Sequence, residues 1–227
     1  MTHCRVITIT QHKGGTGKTT LAAHLSVALA LKGKKVALID TAPEGELQHW
    51  YNARLQSLGD KNTIDFLVTS EWQLFQNVDQ LRATHDFVII DTHSKTTTEA
   101  RSAVRVADLA LVPLQPSPAD LWATNATIDV INSERIPHRI VINRIVPYSS
   151  IYQKVELIFE GLISGRIHNH ISLVESMCEG LTACEVKSGS VATRDILELS
   201  EEILQLLLPH NTSLEEASYT EDVLEML

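Results

Sequence analysis

Short, almost wholly apolar runs recur along the chain, and they limit its fold more than any other feature. "RVITIT" (5–10), "KKVALID" (34–40), "DFVIID" (86–91), "DLALVPL" (108–114) and "RIVIN" (139–143) are each too short for a helix, with "TIDFLV" (63–68) a further candidate. Strands that read as near-continuous apolar runs are buried on both faces, the habit of parallel sheets. The stretches between them carry helical spacing. From Thr19 onward, Leu21, Leu25, Ala28 and Leu29 fall on one face and Gly33 is a natural stop; a second helix is expected over 45–58. The expectation is a single α/β domain, its mostly parallel central sheet covered by helices on both faces, over residues 1–210. In such folds ligands sit at the carboxyl ends of the strands, where a glycine loop, Asp40 and Asp91 all fall.

That loop, "QHKGGTGKTT" (11–20), joins the first strand to the first helix. Backbone N–H groups of a glycine-rich turn can wrap phosphate oxygens, and the positive end of the helix dipole adds to the attraction. Gly14, Gly15 and Gly17 allow the close approach, and Thr16 and Thr20 complete the cradle. Lys18 can reach the β and γ phosphates and the Thr19 hydroxyl can ligate Mg²⁺. The strict G-x-x-x-x-G-K-[ST] pattern is not met, because His12 stands where the first glycine belongs. Asp91 is placed to hold a Mg²⁺-bound water, and Asp40 ends its own strand near the phosphates and the metal. A P-loop nucleotide hydrolase using ATP and Mg²⁺ is the expectation.

Composition narrows the classes. With 44% hydrophobic and 21% charged residues the chain reads as an ordinary soluble domain, and no apolar run approaches the ~20 residues of a membrane span. "MTHCRVITIT" lacks the layout of a signal peptide. Three cysteines, Cys4, Cys178 and Cys184, without CxxC spacing fit a reduced cytoplasmic protein. The net charge is −9, of which five come from the segment 211–227, expected to be a flexible acidic tail. His168 and His170 have no third ligand near them in sequence, which argues against a metal site there. Trp50, Trp72 and Trp122 are expected as core or surface anchors.

"KGGTGKTT" resembles the deviant Walker A motif of the ParA/MinD family of ATPases, and the resemblance extends over residues 4 to about 208. It implies that the extra lysine, Lys13, reaches across a dimer interface to the partner's ATP, so that homodimerisation depends on ATP. "DFVIIDT" resembles the family's Walker B strand. "VINRIVP" (141–147) resembles the strand end and loop around adenine, where Asn143 would read the base edge beside Pro147. Asp120 lies in a segment that contributes to the interface in relatives, and a helix-start role fits it as well. No helix-turn-helix precedes the first strand and no basic amphipathic membrane helix of the MinD type is seen, so no membrane partner is expected.

Two departures matter. Thr92-His93-Ser94 stands where the family usually has threonine and two prolines. More important is "LIDTAPEGEL" (38–47): the family's Asp-x-Asp-Pro would put a second aspartate at Ala42, the position implied to orient the attacking water. Alanine can neither accept a proton nor hold that water, so slow hydrolysis and an ATP-held dimer are expected. A substitution that traps ATP and a natural switch with little turnover both fit. The resemblance further implies non-specific DNA binding by the dimer, with Lys154, Arg166, Lys187 and Arg194 as candidate contacts, and a ParB-like or cargo-adaptor protein that stimulates hydrolysis. The alternatives on the same fold are a metal-cluster carrier, which needs paired cysteines such as Cys178 and Cys184 in one helical stretch, and a small-molecule ATP-dependent synthase, which has no need of Lys13.

Overall fold

The computed structural model describes residues 4–42, 45–93 and 97–207; the acidic tail expected at 211–227 lies outside them. Seven strands, β1 (Arg5–Ile9), β2 (Val36–Asp40), β3 (Ile64–Val68), β4 (Phe87–Asp91), β5 (Leu109–Leu114), β6 (His138–Ile145) and β7 (Ile163–His168), form one sheet in the order β3-β2-β4-β1-β5-β6-β7. Every neighbouring pair is parallel. Nine α-helices are described: α1 (Lys18–Leu31), α2 (Glu46–Leu58), α3 (Glu71–Arg82), α4 (Thr97–Arg105), α5 (Pro118–Ser133), α6 (Ser150–Ile158), α7 (Ile171–Cys178), α8 (Ala183–Val186) and α9 (Val191–Leu207).

The period of two along each strand distributes the side chains between the two faces of the sheet, where they form three apolar clusters. Ile7, Ile9, Val36, Leu38, Phe87, Ile89, Leu109 and Leu111 face α1, α2 and α7–α9. Val6, Ala37, Ile39, Val88 and Ile90 point the other way, against Leu74, Val78 and Ala103 of α3 and α4. Ala110, Val112, Leu114, Ile140 and Ile142 meet Leu121, Ile128, Ile131 and Val155 of α5 and α6. Both faces are therefore covered, as the apolar runs demand. Because the strands are parallel, all seven carboxyl ends share one edge, and the loops there carry the site.

Three elements differ from the sequence expectation. β7 was not foreseen: Ser164, Gly165 and Arg166 interrupt its apolar pattern, as an edge strand paired on one side permits. α9, Val191–Leu207, has no counterpart among the helices expected from apolar spacing. Cys178 and Cys184 do not share a helix. α7 ends on Cys178, and Gly180 (φ +70°) turns the chain where any Cβ would strike the backbone of Ala53 and Arg54 in α2.

Candidate nucleotide site

The glycine loop springs from the central strand. Its stem is fixed by Gln11, fully buried, whose Nε2 donates to Thr124 Oγ1 (2.9 Å) and whose Oε1 accepts from Thr127 Oγ1 (2.7 Å), both on α5. Gly15 and Gly17 take φ of +78° and +97°, conformations an L side chain rarely adopts, and Gly17 forms the N-cap of α1. Thr16 is buried beneath the loop, its carbonyl accepting from Asn143 Nδ2 at 2.8 Å. The loop rims a cavity of about 450 Å³ with Gly14, Gly15, Gly17, Lys18, Thr19 and Thr20 on one wall and Ala42, Glu46 and Asp91 opposite.

Lys18 is almost fully buried. Burial lowers its pKa while Asp91 and Glu46 hold it up, and its Nζ leans on the Lys13 carbonyl at 3.3 Å. Asp91, 1% exposed at the end of β4, accepts from the Thr19 hydroxyl, and its Oδ1 has no protein partner among the described residues. Burial, reinforced by the charges of Asp40 and Glu46, pushes its carboxyl up to about 7 against the pull of Thr19 and Lys18. A buried carboxylate with an unspent oxygen beside a hydroxyl, at a helix N-terminus, fits a hydrated Mg²⁺. Thr19 and Asp91 are the residues that would hold it.

Asp40 stands beside Asp91 in the β2–β4 register, yet its oxygens turn to backbone: Oδ1 accepts from Ala42 N (2.8 Å) and Oδ2 from Gln48 N (3.3 Å). It secures the turn that presents Ala42 and the first turn of α2. Asn143 likewise spends its amide locally, on Thr16 O and, through Oδ1, on the Arg144 amide (2.9 Å). Pro147 lies outside the cavity in an exposed turn. Thr92 and His93 line the cavity, whereas Ser94 lies outside the described residues.

Lys13 does not enter this cavity. Its ammonium pairs with Asp120 Oδ2 at 2.5 Å, and the side chain as a whole is 37% exposed. Asp120 is fully buried, its amide donating to Ser117 Oγ, the N-cap of α5. Asp120 thus sits in the first turn of α5 and holds Lys13 within its own chain.

Sequence reasoning missed three contributors. Glu46 opens α2 and faces the cavity, Arg144 lines it from a left-handed backbone (φ +54°), and Gln115 Nε2 props the loop through the Gly15 carbonyl at 2.7 Å. Glu46 alone left a signal, an acidic residue at the first position of the helix after the second strand.

The candidate DNA contacts Lys154, Arg166, Lys187 and Arg194 are all exposed, on α6, β7, the α8–α9 turn and α9. Arg166 is already paired with Glu156 at 2.7 Å. Cys184 is buried, its thiol pushed up to about 11 by that burial, while Cys178 is exposed, so the pair does not present a bridging set. Trp50 is core, its Nε1 donating to Leu181 O, and Trp72 and Trp122 are exposed. The third donor that His168 and His170 lack in sequence is supplied in space, because α9 folds back and delivers Asp195 to both rings.

A parallel sheet with a glycine loop at its central strand, a buried lysine, and a threonine–aspartate pair beneath defines a P-loop nucleotide-binding domain. The model of the CobQ/CobB/MinD/ParA nucleotide binding domain matches residues 7–183, and the chain belongs to that family. The family is one of P-loop ATPases. The chain is 27% identical over 206 residues to the maintenance of carboxysome distribution protein A of Halothiobacillus neapolitanus, covering 85% of this chain and 93% of that one. Its fold matches MinD of Pyrococcus horikoshii complexed with Mg-ADP (TM-score 0.75, 23% identity, 89% and 97% of the two chains). It also matches the ATP complex of an aspartate-to-alanine form of Cyanothece McdA (TM-score 0.72, 17% identity, 91% and 97%). Among the described residues no helix is long and apolar enough to cross a membrane.

Proposed function

We propose that this chain is an ATP-dependent dimerising switch that positions a cargo, whether DNA or a protein assembly, by binding DNA non-specifically as an ATP-bound homodimer. The observation that carries it is the disposition of the two lysines: Lys18 points into its own chain's cavity and Lys13 stays outside it, half-exposed on the same loop. A lysine that its own cavity does not use, held at the loop's outer side by Asp120, can serve a second copy by exchanging that carboxylate for a phosphate. When bound, ATP supplies the γ-phosphate that brings the copies together, with Mg²⁺ offsetting its charge. The loop amides and Lys18 hold the phosphates, Thr19 and Asp91 hold the metal, and Asp40 shapes the turn that ends at position 42.

Ala42 turns only a methyl group into the cavity beside Asp91. A water there lacks a group to orient it, so the ATP form persists. Lys154, Arg166, Lys187 and Arg194 are the candidate DNA contacts, a cytoplasmic, nucleoid-associated location goes with them, and an adaptor protein of ParB type would stimulate release. The name of the Halothiobacillus relative makes a carboxysome-like cargo a specific candidate.

The test compares the chain with its Ala42→Asp and Lys13→Ala variants, following ATP turnover and, by light scattering with Mg²⁺, molecular mass. Ala42→Asp is expected to raise turnover by roughly 10²–10⁴-fold, the range of a positioned proton acceptor, and to shorten the life of the dimer. Lys13→Ala is expected to bind ATP but remain monomeric. A nucleotide-dependent dimer that survives Lys13→Ala would overturn the assignment.

A further inference from the structure

The edge strand β7 ends on a group of side chains that the nucleotide cavity does not use. His168 closes β7, His170 precedes α7, and Asp195 reaches both from the second turn of α9. The Asp195 side chain is 6% exposed, those of His168 and His170 are 40% and 23% exposed. Both imidazoles converge on one carboxylate oxygen. His168 Nδ1 lies 3.0 Å and His170 Nε2 3.1 Å from Asp195 Oδ2, and the His168 amide donates to the same oxygen at 2.9 Å. His170 occupies the N-cap position of α7 without capping it, its ring committed to Asp195 instead.

We propose that His168, His170 and Asp195 form a binding site for a divalent transition ion of the zinc class. Two imidazole nitrogens and a carboxylate oxygen are the donors such an ion takes, and they discriminate against the Mg²⁺ of the nucleotide site, which prefers oxygen alone. The three donor atoms lie within 4.8 Å of one another. Around a tetrahedral ion with bonds of ~2.0–2.2 Å, donors stand ~3.3–3.5 Å apart, so the two His–Asp separations need to open by only about 0.3 Å. The rings are tilted by 53° with centroids 5.9 Å apart, so their nitrogens approach from different directions rather than stacked. The ion takes the place of the protons that now join imidazole to carboxylate, each neutral ring carrying its proton on the other nitrogen instead. The His168 amide holds the carboxylate in orientation, as outer-shell partners of metal ligands do. The exposed flank of the two rings leaves the fourth position to solvent. Bound there, the ion ties the sheet edge to α9, which packs in turn on the P-loop helix α1. This site is independent of the nucleotide reading.

The test uses the full chain carrying Cys178→Ser, which removes the exposed thiol, with Mg-ADP present to occupy the cavity. Zn²⁺ is titrated calorimetrically. One equivalent per chain is expected, with a rise in Tm of roughly 5–10 °C at a hundredfold excess over Kd. His170→Ala, whose ring lies outside the core, is expected to weaken binding by more than the roughly 10–100-fold that loss of an outer-shell partner costs. Co²⁺ in place of Zn²⁺ is expected to give the visible bands of a tetrahedral nitrogen–oxygen site. Zn²⁺ affinity unchanged in both His168→Ala and His170→Ala, or no saturable binding to the parent chain, would overturn the proposal.

Discussion

Gly17 shows how tightly single residues are constrained at this site. Its φ of +97° favours glycine, and a Cβ there would run into the Asn143 amide that holds the loop from below. Gly17→Ala therefore strains the backbone and dislodges the prop at once. We expect a loss of about 1–3 kcal/mol in stability and a nucleotide affinity at least roughly tenfold weaker, read by denaturant unfolding and by titration with a fluorescent nucleotide. Asp91 sets a pH dependence. With its carboxyl at about 7, a metal must displace a proton below that pH and need not above it. Mg-ADP affinity is expected to fall by up to about tenfold between pH 7 and pH 6 and to change little from pH 8 to pH 9. Calorimetry in two buffers of different ionisation enthalpy gives the protons released; a flat profile from pH 6 to 8 would mean that Asp91 does not face the ion.

Between elements, the helices on one face are locked by buried polar groups. Arg54 of α2, 2% exposed, forks onto Glu185 of α8 with bonds of 2.9 and 2.8 Å, and Glu185 closes a capping box with Thr182. His24 of α1 bridges to the same helix: Nδ1 donates to Thr20 O and Nε2 accepts from the Ala183 amide at 3.3 Å. Burial pushes its pKa down to about 4. A neutral histidine favoured by the fold gives stability that is complete above pH 6.5 and is lost as pH falls from 6.5 towards 4, by about 3 kcal/mol in all. Urea unfolding at pH 7 and pH 4.5 is expected to show that loss, and His24→Asn to show a shallower one. The strands within these layers were legible where apolar runs were unbroken: β1, β2, β4 and β5 fall within two residues of expectation. β7 was not, because Gly165 is there for close packing, with Leu199 Cδ1 2.9 Å from where its Cβ would stand, and such a glycine looks in sequence like a turn.

Over the whole molecule, what the sequence could announce was whatever lies contiguous in it. The loop 13–20 and the strand-end Asp91 were visible for that reason, and both line or border the cavity. Asp195 as a partner of His168 and His170, Gln115 beneath Gly15, and Asp120 against Lys13 depend on chain returning from 25 to 107 residues away, so only folding reveals them. The same sheet order has a consequence in time. β1 is made before both of its neighbours, yet it sits in the middle of the sheet, between β4 and β5, and its partners begin at Phe87 and Leu109. At the ~5–20 residues per second of synthesis, the strand and its loop wait ~5–20 s for them. During that interval the nascent chain carries an unpaired apolar strand and a phosphate loop with no floor. The loop gains its last prop only when Asn143 and Arg144 have followed, so a chain cut short before them carries the glycine motif without the cavity it borders.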